Sequence, residues 1–185
     1  MSRGVVIWIT GLPSSGKSTF AAHLREQLVT LGVASCVLDS DAVRAALVPA
    51  PGYDEIARDH FYDTLARLAA LLEAQGLIVV VPATAHRRAY RDRARRRVER
   101  WIEVFVDVPP EECRARDAKG LYAASAAGRV SALPGADIGL RAEDLTVAEV
   151  TRAPKTTSGW PIASSSSCRR RPSRPNGFRA STSNA

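Results

Sequence analysis

The amino-acid sequence predicts an α/β fold of three layers, a parallel sheet with helices on both faces. Three observations carry the prediction. Apolar, β-rich runs alternate with segments of helical period from residue 5 to residue 128, at a spacing that lets a crossover helix join one strand to the next. The runs VVIWIT (5–10) and LIVVV (77–81) are apolar without a break, as strands covered on both faces must be. The first of them passes through a loop holding two glycines directly into a helix.

Each element follows in order. Residues 5–10 form the first strand. The helix over 18–32 places Phe20, Leu24, Leu28 and Leu31 on one face, and Gly32 supplies the stop. ASCVLD (34–39) is the second strand. DHFYDTLARLAALLEAQG (59–76) is a helix that again ends on a glycine, and LIVVV (77–81) is a third strand stopped by Pro82. HRRAYRDRARRRVER (86–100) is a helix, and WIEVFVDV (101–108) is a fourth strand closed by Pro109 and Pro110. Residues 111–128 read as helix, basic turn and helix. No internal repeat is present.

A length of 185 residues suffices for one domain with a real core, and 45% hydrophobic content is that of a globular protein. No apolar run reaches the ~20 residues of a membrane helix. The short apolar run near the N-terminus carries no cleavage pattern, so the chain reads as cytoplasmic with no membrane partner. Cys36, Cys113 and Cys168 have neither pairing nor metal spacing and read as free thiols. The net charge of +7 is unevenly placed. Seven of the 26 basic residues follow Glu149, and no acidic residue does, so residues 1–150 are neutral overall. The excess belongs to the tail and says nothing of the ligand of the globular part.

The chemistry starts at Gly11-Leu-Pro-Ser-Ser-Gly-Lys-Ser18, the pattern G-x-x-x-x-G-K-[ST] between a strand and a helix. Backbone N–H groups of such a loop converge on phosphate, and the helix dipole favours the anion there. Gly11 and Gly16 let the backbone approach closely. Lys17 reaches the β- and γ-phosphates, and Ser18 is the ligand of Mg²⁺. Ser14, Ser15 and Thr19 complete a set that binds ATP and Mg²⁺. This is the phosphate loop of the P-loop fold. A signalling GTPase would need a guanine-reading N-K-x-D, which is absent.

A small kinase also needs acidic groups near the acceptor and cations over the transferring group. LDSD (38–41) supplies the first. Asp39 and Asp41, two apart at a strand end, can face one side, one toward the metal's water shell and one as base for a hydroxyl. Either could instead cap the helix that starts near Ala42. RARDAKG (114–120) supplies the cations Arg114, Arg116 and Lys119 around a glycine hinge, a lid, or alternatively a solvated helix end. The eight arginines between 87 and 100 read as a solvated face or as an anion-facing stripe with Arg88 and Arg91. His23, His60 and His86 read as structural.

Taken together, GLPSSGKST, LDSDAVR, QGLIVVV and IEVFVDVPPEECRARDAKGLY resemble the adenylylsulfate kinase family over about residues 4–135. The resemblance implies transfer of phosphate from ATP with Mg²⁺ to the 3′-hydroxyl of adenosine 5′-phosphosulfate (APS). It implies Asp41 as base, Lys119 from the lid, Asp39, Arg44, Arg58 and Arg88 on the acceptor, and a homodimer. The chain departs from the family at four places. D-G-D becomes Asp39-Ser40-Asp41, and Asn-Ile-Arg-Arg becomes Phe61-Tyr62-Asp63-Thr64. Ser-Pro-Tyr-Arg becomes Ala85-His86-Arg87-Arg88, and an aromatic residue becomes Ala83. Phe61 and Tyr62 either join the core or line the acceptor pocket. A kinase for another small hydroxylated acceptor, such as a nucleoside, sugar or antibiotic, is the rival reading that Phe61 motivates.

Residues 1–150 are thus expected to form the kinase domain, and 151–185, rich in Ser, Arg and Pro, a disordered tail. A nucleic-acid-binding protein acting through that tail is a third reading, which deletion of 151–185 would test. The tail has a further oddity. Back-translated with GC-rich codons and shifted back one base from Arg152, its DNA can read RAEDDERLAHRVVVEL, an amphipathic helix. The hypothesis is a frameshift that replaced a final helix; a gene sequence without that open frame would exclude it.

Overall fold

The computed structural model describes residues 4–130, 133–136 and 149–152. Strands β1 (Val5–Gly11), β2 (Ser35–Val37), β3 (Ile78–Pro82), β4 (Trp101–Asp107) and β5 (Glu149–Arg152) form one sheet in the order β2-β3-β1-β4-β5, with every neighbouring pair parallel. The helices are α1 (Lys17–Thr30), α2 (Ser40–Ala46), α3 (Glu55–Glu73), α4 (Arg88–Arg95), α5 (Pro110–Arg116) and α6 (Leu121–Ala126).

The uninterrupted apolar strands are explained by what covers them. Alternate side chains of β1 and β3 leave the sheet on opposite sides. Val6, Trp8, Val79 and Val81 meet Phe61, Leu65 and Ala69 of α3 and Tyr90 and Ala94 of α4. Ile9, Val80, Val104 and Val106 meet Ala21 of α1, Cys113 of α5 and Tyr122 of α6. Trp8 stacks on Trp101 with ring centroids 5.5 Å apart. Helices on both faces of a parallel sheet make the three layers that the sequence predicts.

Several boundaries differ from the sequence reading. α3 begins at Glu55 rather than 59, because the Asp54 carboxylate caps it by accepting from the Ala57 N–H at 2.9 Å. β2 is three residues long, since Asp39 leaves the strand to cap α2. α4 spans Arg88–Arg95 instead of 86–100; beyond it Arg97 pairs with Asp63 of α3. The strand β5 was not expected, and it carries regular structure to Arg152, past residue 150. The tail from residue 153 lies outside the described residues. No helix among the described residues is long and apolar enough to cross a membrane.

Arg91 is neither solvated nor anion-facing. Its side chain is 1% exposed, its Nε donates to the Glu103 carboxylate at 2.8 Å, and its Nη1 donates to the Ala85 carbonyl at 2.6 Å. This buried ion pair therefore ties α4, β4 and the loop after β3 together.

Candidate active site

β1 ends at Gly11, where a Cβ would stand 2.8 Å from the Val106 carbonyl oxygen and 2.9 Å from Ser15 Oγ at φ +150°. Only glycine lets the chain turn so closely past β4. Gly16 (φ 97°) begins α1 with no side-chain cap, which leaves the first N–H groups of the helix directed at the loop. The hydroxyls of Ser14 and Ser15 are buried and have no partner among the described residues. Orphaned donors around an uncapped helix start suit phosphate oxygens.

Lys17 Nζ donates to the Leu12 carbonyl at 2.6 Å. Burial pulls its pKa from the ordinary 10.5 down to about 8, opposed by the nearby Cys113 and Asp41. The ammonium still holds its proton at neutral pH. Ser18 Oγ donates to Asp39 Oδ2 at 2.7 Å, and Asp39 Oδ1 accepts from the N–H groups of Asp41 and Ala42. Asp39 is thus both the cap of α2 and the partner of the predicted metal ligand, so the two readings of this residue are compatible. A hydroxyl and a carboxylate are the oxygen donors that Mg²⁺ takes alongside water.

Asp41, in the first turn of α2, pairs with Lys119 from the turn between α5 and α6. That turn is shaped by Asp117, whose carboxylate accepts from the N–H groups of Tyr122 and Ala123, and by Gly120 at φ 64°. The contact raises the Lys119 pKa. Residues 78 positions apart in the chain, predicted as base and lid, are therefore adjacent. Arg114 donates to the Gly135 carbonyl and Arg116 to Glu112, so neither joins them.

Beside this pair opens a cavity of about 780 Å³. Its lining includes Pro13 of the phosphate loop, Asp41, Lys119, Arg44, Arg58 and Phe61. Phe61 and Tyr62 are both core and lining: each is buried, and Tyr62 Oη accepts from the Ala85 N–H at 3.0 Å. Arg88 is not among the lining residues; it pairs with Asp92 at 3.3 Å, and Arg87 lines the cavity instead while pairing with Glu55. Sequence reasoning missed Tyr53, Tyr90 and Arg129, and it took His86 as structural. His86 lines the cavity, 8% exposed, edge-on to Tyr90, and burial and the arginines 58, 87 and 91 lower its pKa from 6.5 to about 4. Only its position just after β3 hinted at a role.

A phosphate cradle at the head of α1, opposite a carboxylate and a basic turn across an open cavity, defines a P-loop phosphotransferase. The chain belongs to the adenylylsulfate kinase family, whose model, described as adenylylsulphate kinase, matches residues 3–147. An adenylyl-sulfate kinase of Synechococcus sp. (strain JA-3-3Ab) is 40% identical over 135 residues, 73% of this chain and 77% of that one. One from Escherichia coli O1:K1 / APEC is 43% identical over 137 residues, covering 73% and 68% of the two chains. Among solved structures, the Mycobacterium tuberculosis APS kinase CysC in complex with AMPPNP and APS superposes with a TM-score of 0.78 at 31% identity, over 84% of this chain and 92% of that one.

Proposed function

We propose that this protein transfers the γ-phosphoryl group of ATP to the 3′-hydroxyl of APS, giving 3′-phosphoadenosine 5′-phosphosulfate and ADP, the activation step of sulfate assimilation in the cytoplasm. The observation that carries the reading is that one cavity is lined by Pro13 of the phosphate loop, by Asp41 and Lys119, and by the arginines 44, 58, 87 and 129. An adenylate carrying an anionic tail fits that lining.

The residues divide the work. The loop amides and the hydroxyls of Ser14, Ser15 and Thr19 hold the triphosphate, with Gly11 and Gly16 making room. Lys17 exchanges the Leu12 carbonyl for β- and γ-phosphate oxygens. Ser18, with Asp39 behind it, would hold Mg²⁺, which would supply charge neutralisation to the phosphates. Asp41 accepts the hydroxyl proton as the acceptor oxygen bonds to the γ-phosphorus and the bond to the β,γ-bridging oxygen breaks. Lys119, freed from Asp41, turns to the transferring group. Arg58 faces the acceptor's anionic end. Most of the rate then comes from positioning and preset charge. A homodimer is the assembly we expect.

The test is ATP consumption by purified protein with Mg²⁺ and a panel of acceptors. APS should exceed every nucleoside, sugar and aminoglycoside tested. A non-sulfated alcohol consumed faster would establish the rival reading, which Phe61 in the cavity wall favours.

A further inference from the structure

In the loop after β3, Ala85 lies at φ 35°, in the left-handed region that a non-glycine residue enters only at a cost in energy. Side chains pin both of its backbone polar groups: its N–H donates to Tyr62 Oη at 3.0 Å, and its carbonyl accepts from Arg91 Nη1 at 2.6 Å. One residue earlier, the Thr84 carbonyl accepts from Thr10 Oγ1 at 2.7 Å. The residue that this clamped turn delivers is His86, which lines the cavity and is 8% exposed. Tyr90 packs edge-on against its ring, and Tyr90 in turn stacks on Tyr62 with centroids 4.5 Å apart. The imidazole is thus held by packing, yet it makes no hydrogen bond among the described residues.

Buried polar groups ordinarily have partners, and one left unpaired in a cavity wall is suited to a ligand. The charges around it say which kind. Burial first, then Arg58, Arg87 and Arg91, lower its pKa to about 4, so at neutral pH the ring is uncharged and has one N–H to donate. The field that resists a proton on the ring favours an anion beside it. We propose that His86 is a specificity-determining residue whose N–H donates to an oxygen at the phosphosulfate end of the acceptor, and that Ala85, clamped by Tyr62 and Arg91, positions it. The family pattern has proline at this position, which carries no hydrogen-bonding side chain, so the contact belongs to this chain. The inference rests on the reading that the cavity receives APS.

The experiment measures kcat and KM for APS and ATP in His86→Phe, His86→Asn and His86→Gln. Phenylalanine keeps a ring against Tyr90 and removes both nitrogens. The two amides return an N–H near the place of Nδ1 or of Nε2. His86→Phe should raise the APS KM about 10-fold, with kcat and the ATP KM within about 2-fold of the natural protein. At least one amide should recover most of that loss, to within about 3-fold of the natural APS KM. An APS KM for His86→Phe within about 2-fold of natural, or an equal rise in all three variants, would overturn the proposal.

A second readout follows the ring itself by NMR, without ATP. The side-chain resonances of His86, assigned by their loss in His86→Phe, should move on titration with APS and, more weakly, with inorganic sulfate, while those of His23 and His60 stay still. His86 resonances unmoved by either anion would also overturn the contact. A protein that fails to turn over APS while His86 still follows sulfate would defeat the proposed function and leave this contact standing.

Discussion

The two ends of the site are built from different materials. The donor end is largely backbone: an uncapped helix start, a glycine at position 11 forced by close contact with β4, two orphaned hydroxyls and one buried ammonium. The acceptor end is side chain, and most of its charges already have protein partners: Asp41 with Lys119, Arg87 with Glu55, Arg44 with carbonyls and rings. At the donor end Lys17 must leave the Leu12 carbonyl, but the loop hydroxyls of Ser14 and Ser15 have no partner among the described residues, whereas at the acceptor end most charges must exchange protein partners before they can work. Loss of a donor-end group should therefore hurt any acceptor equally, and loss of an acceptor-end group should discriminate among acceptors.

The sharpest break is Lys17→Ala, which should lower kcat/KM at least about 10³-fold with every acceptor, since it removes the ammonium that meets the charge developing on the phosphoryl group. Asp41→Asn should cost about 10³-fold in kcat through loss of the base while nucleotide affinity, read by titration calorimetry, changes less than about 2-fold. A near-normal rate in that variant would remove Asp41 as the base. Glu103→Gln removes the carboxylate that buried Arg91 meets at 2.8 Å and should cost about 3 kcal/mol in urea unfolding. A loss below about 0.5 kcal/mol would place the pair in the class of surface ion pairs.

The smallest effect is a pH dependence at the donor end. With the Lys17 pKa near 8, the free protein has the ammonium below that pH and loses it above. Bound phosphate favours the charged form, so nucleotide affinity should be flat below about pH 8 and about 10-fold weaker at pH 9. The same group acts on stability with the opposite sign. A lysine whose folded pKa is lowered stabilises the fold more as pH rises from about 8 towards 10.5. Affinity that stayed constant to pH 10 would mean that burial does not lower the Lys17 pKa in this way.

The same division explains what could be read from the sequence. The loop is contiguous, and its neighbours, an apolar strand and a helix, are local patterns; all of them stand where expected. Asp41 and Lys119 were legible as chemistry because each sits in a motif, yet their contact depends on the turn that Asp117 folds, which spacing does not reveal. Arg91 looked like one arginine of a basic run, and only the fold shows Glu103 of β4 waiting beneath it. Tyr53, Tyr90 and His86 belong to no local pattern. They become a pocket wall because the connection between α2 and α3, the loop after β3 and α4 converge, an outcome of long-range packing. Arg44 shows the limit most plainly: its motif marks it for the acceptor, and only the fold adds the two rings and two carbonyls beside it.

The central claim is that the cradle at 11–19 and the carboxylate at Asp41 together hand the terminal phosphoryl group of ATP to a hydroxyl of APS. The direct measurement supplies γ-labelled ATP, Mg²⁺ and APS to the purified protein and locates the label. The account predicts label on the 3′-oxygen of the sulfated adenylate, and none there with Asp41→Asn over the same time. Label found only in inorganic phosphate, released at a rate indifferent to APS, would contradict it.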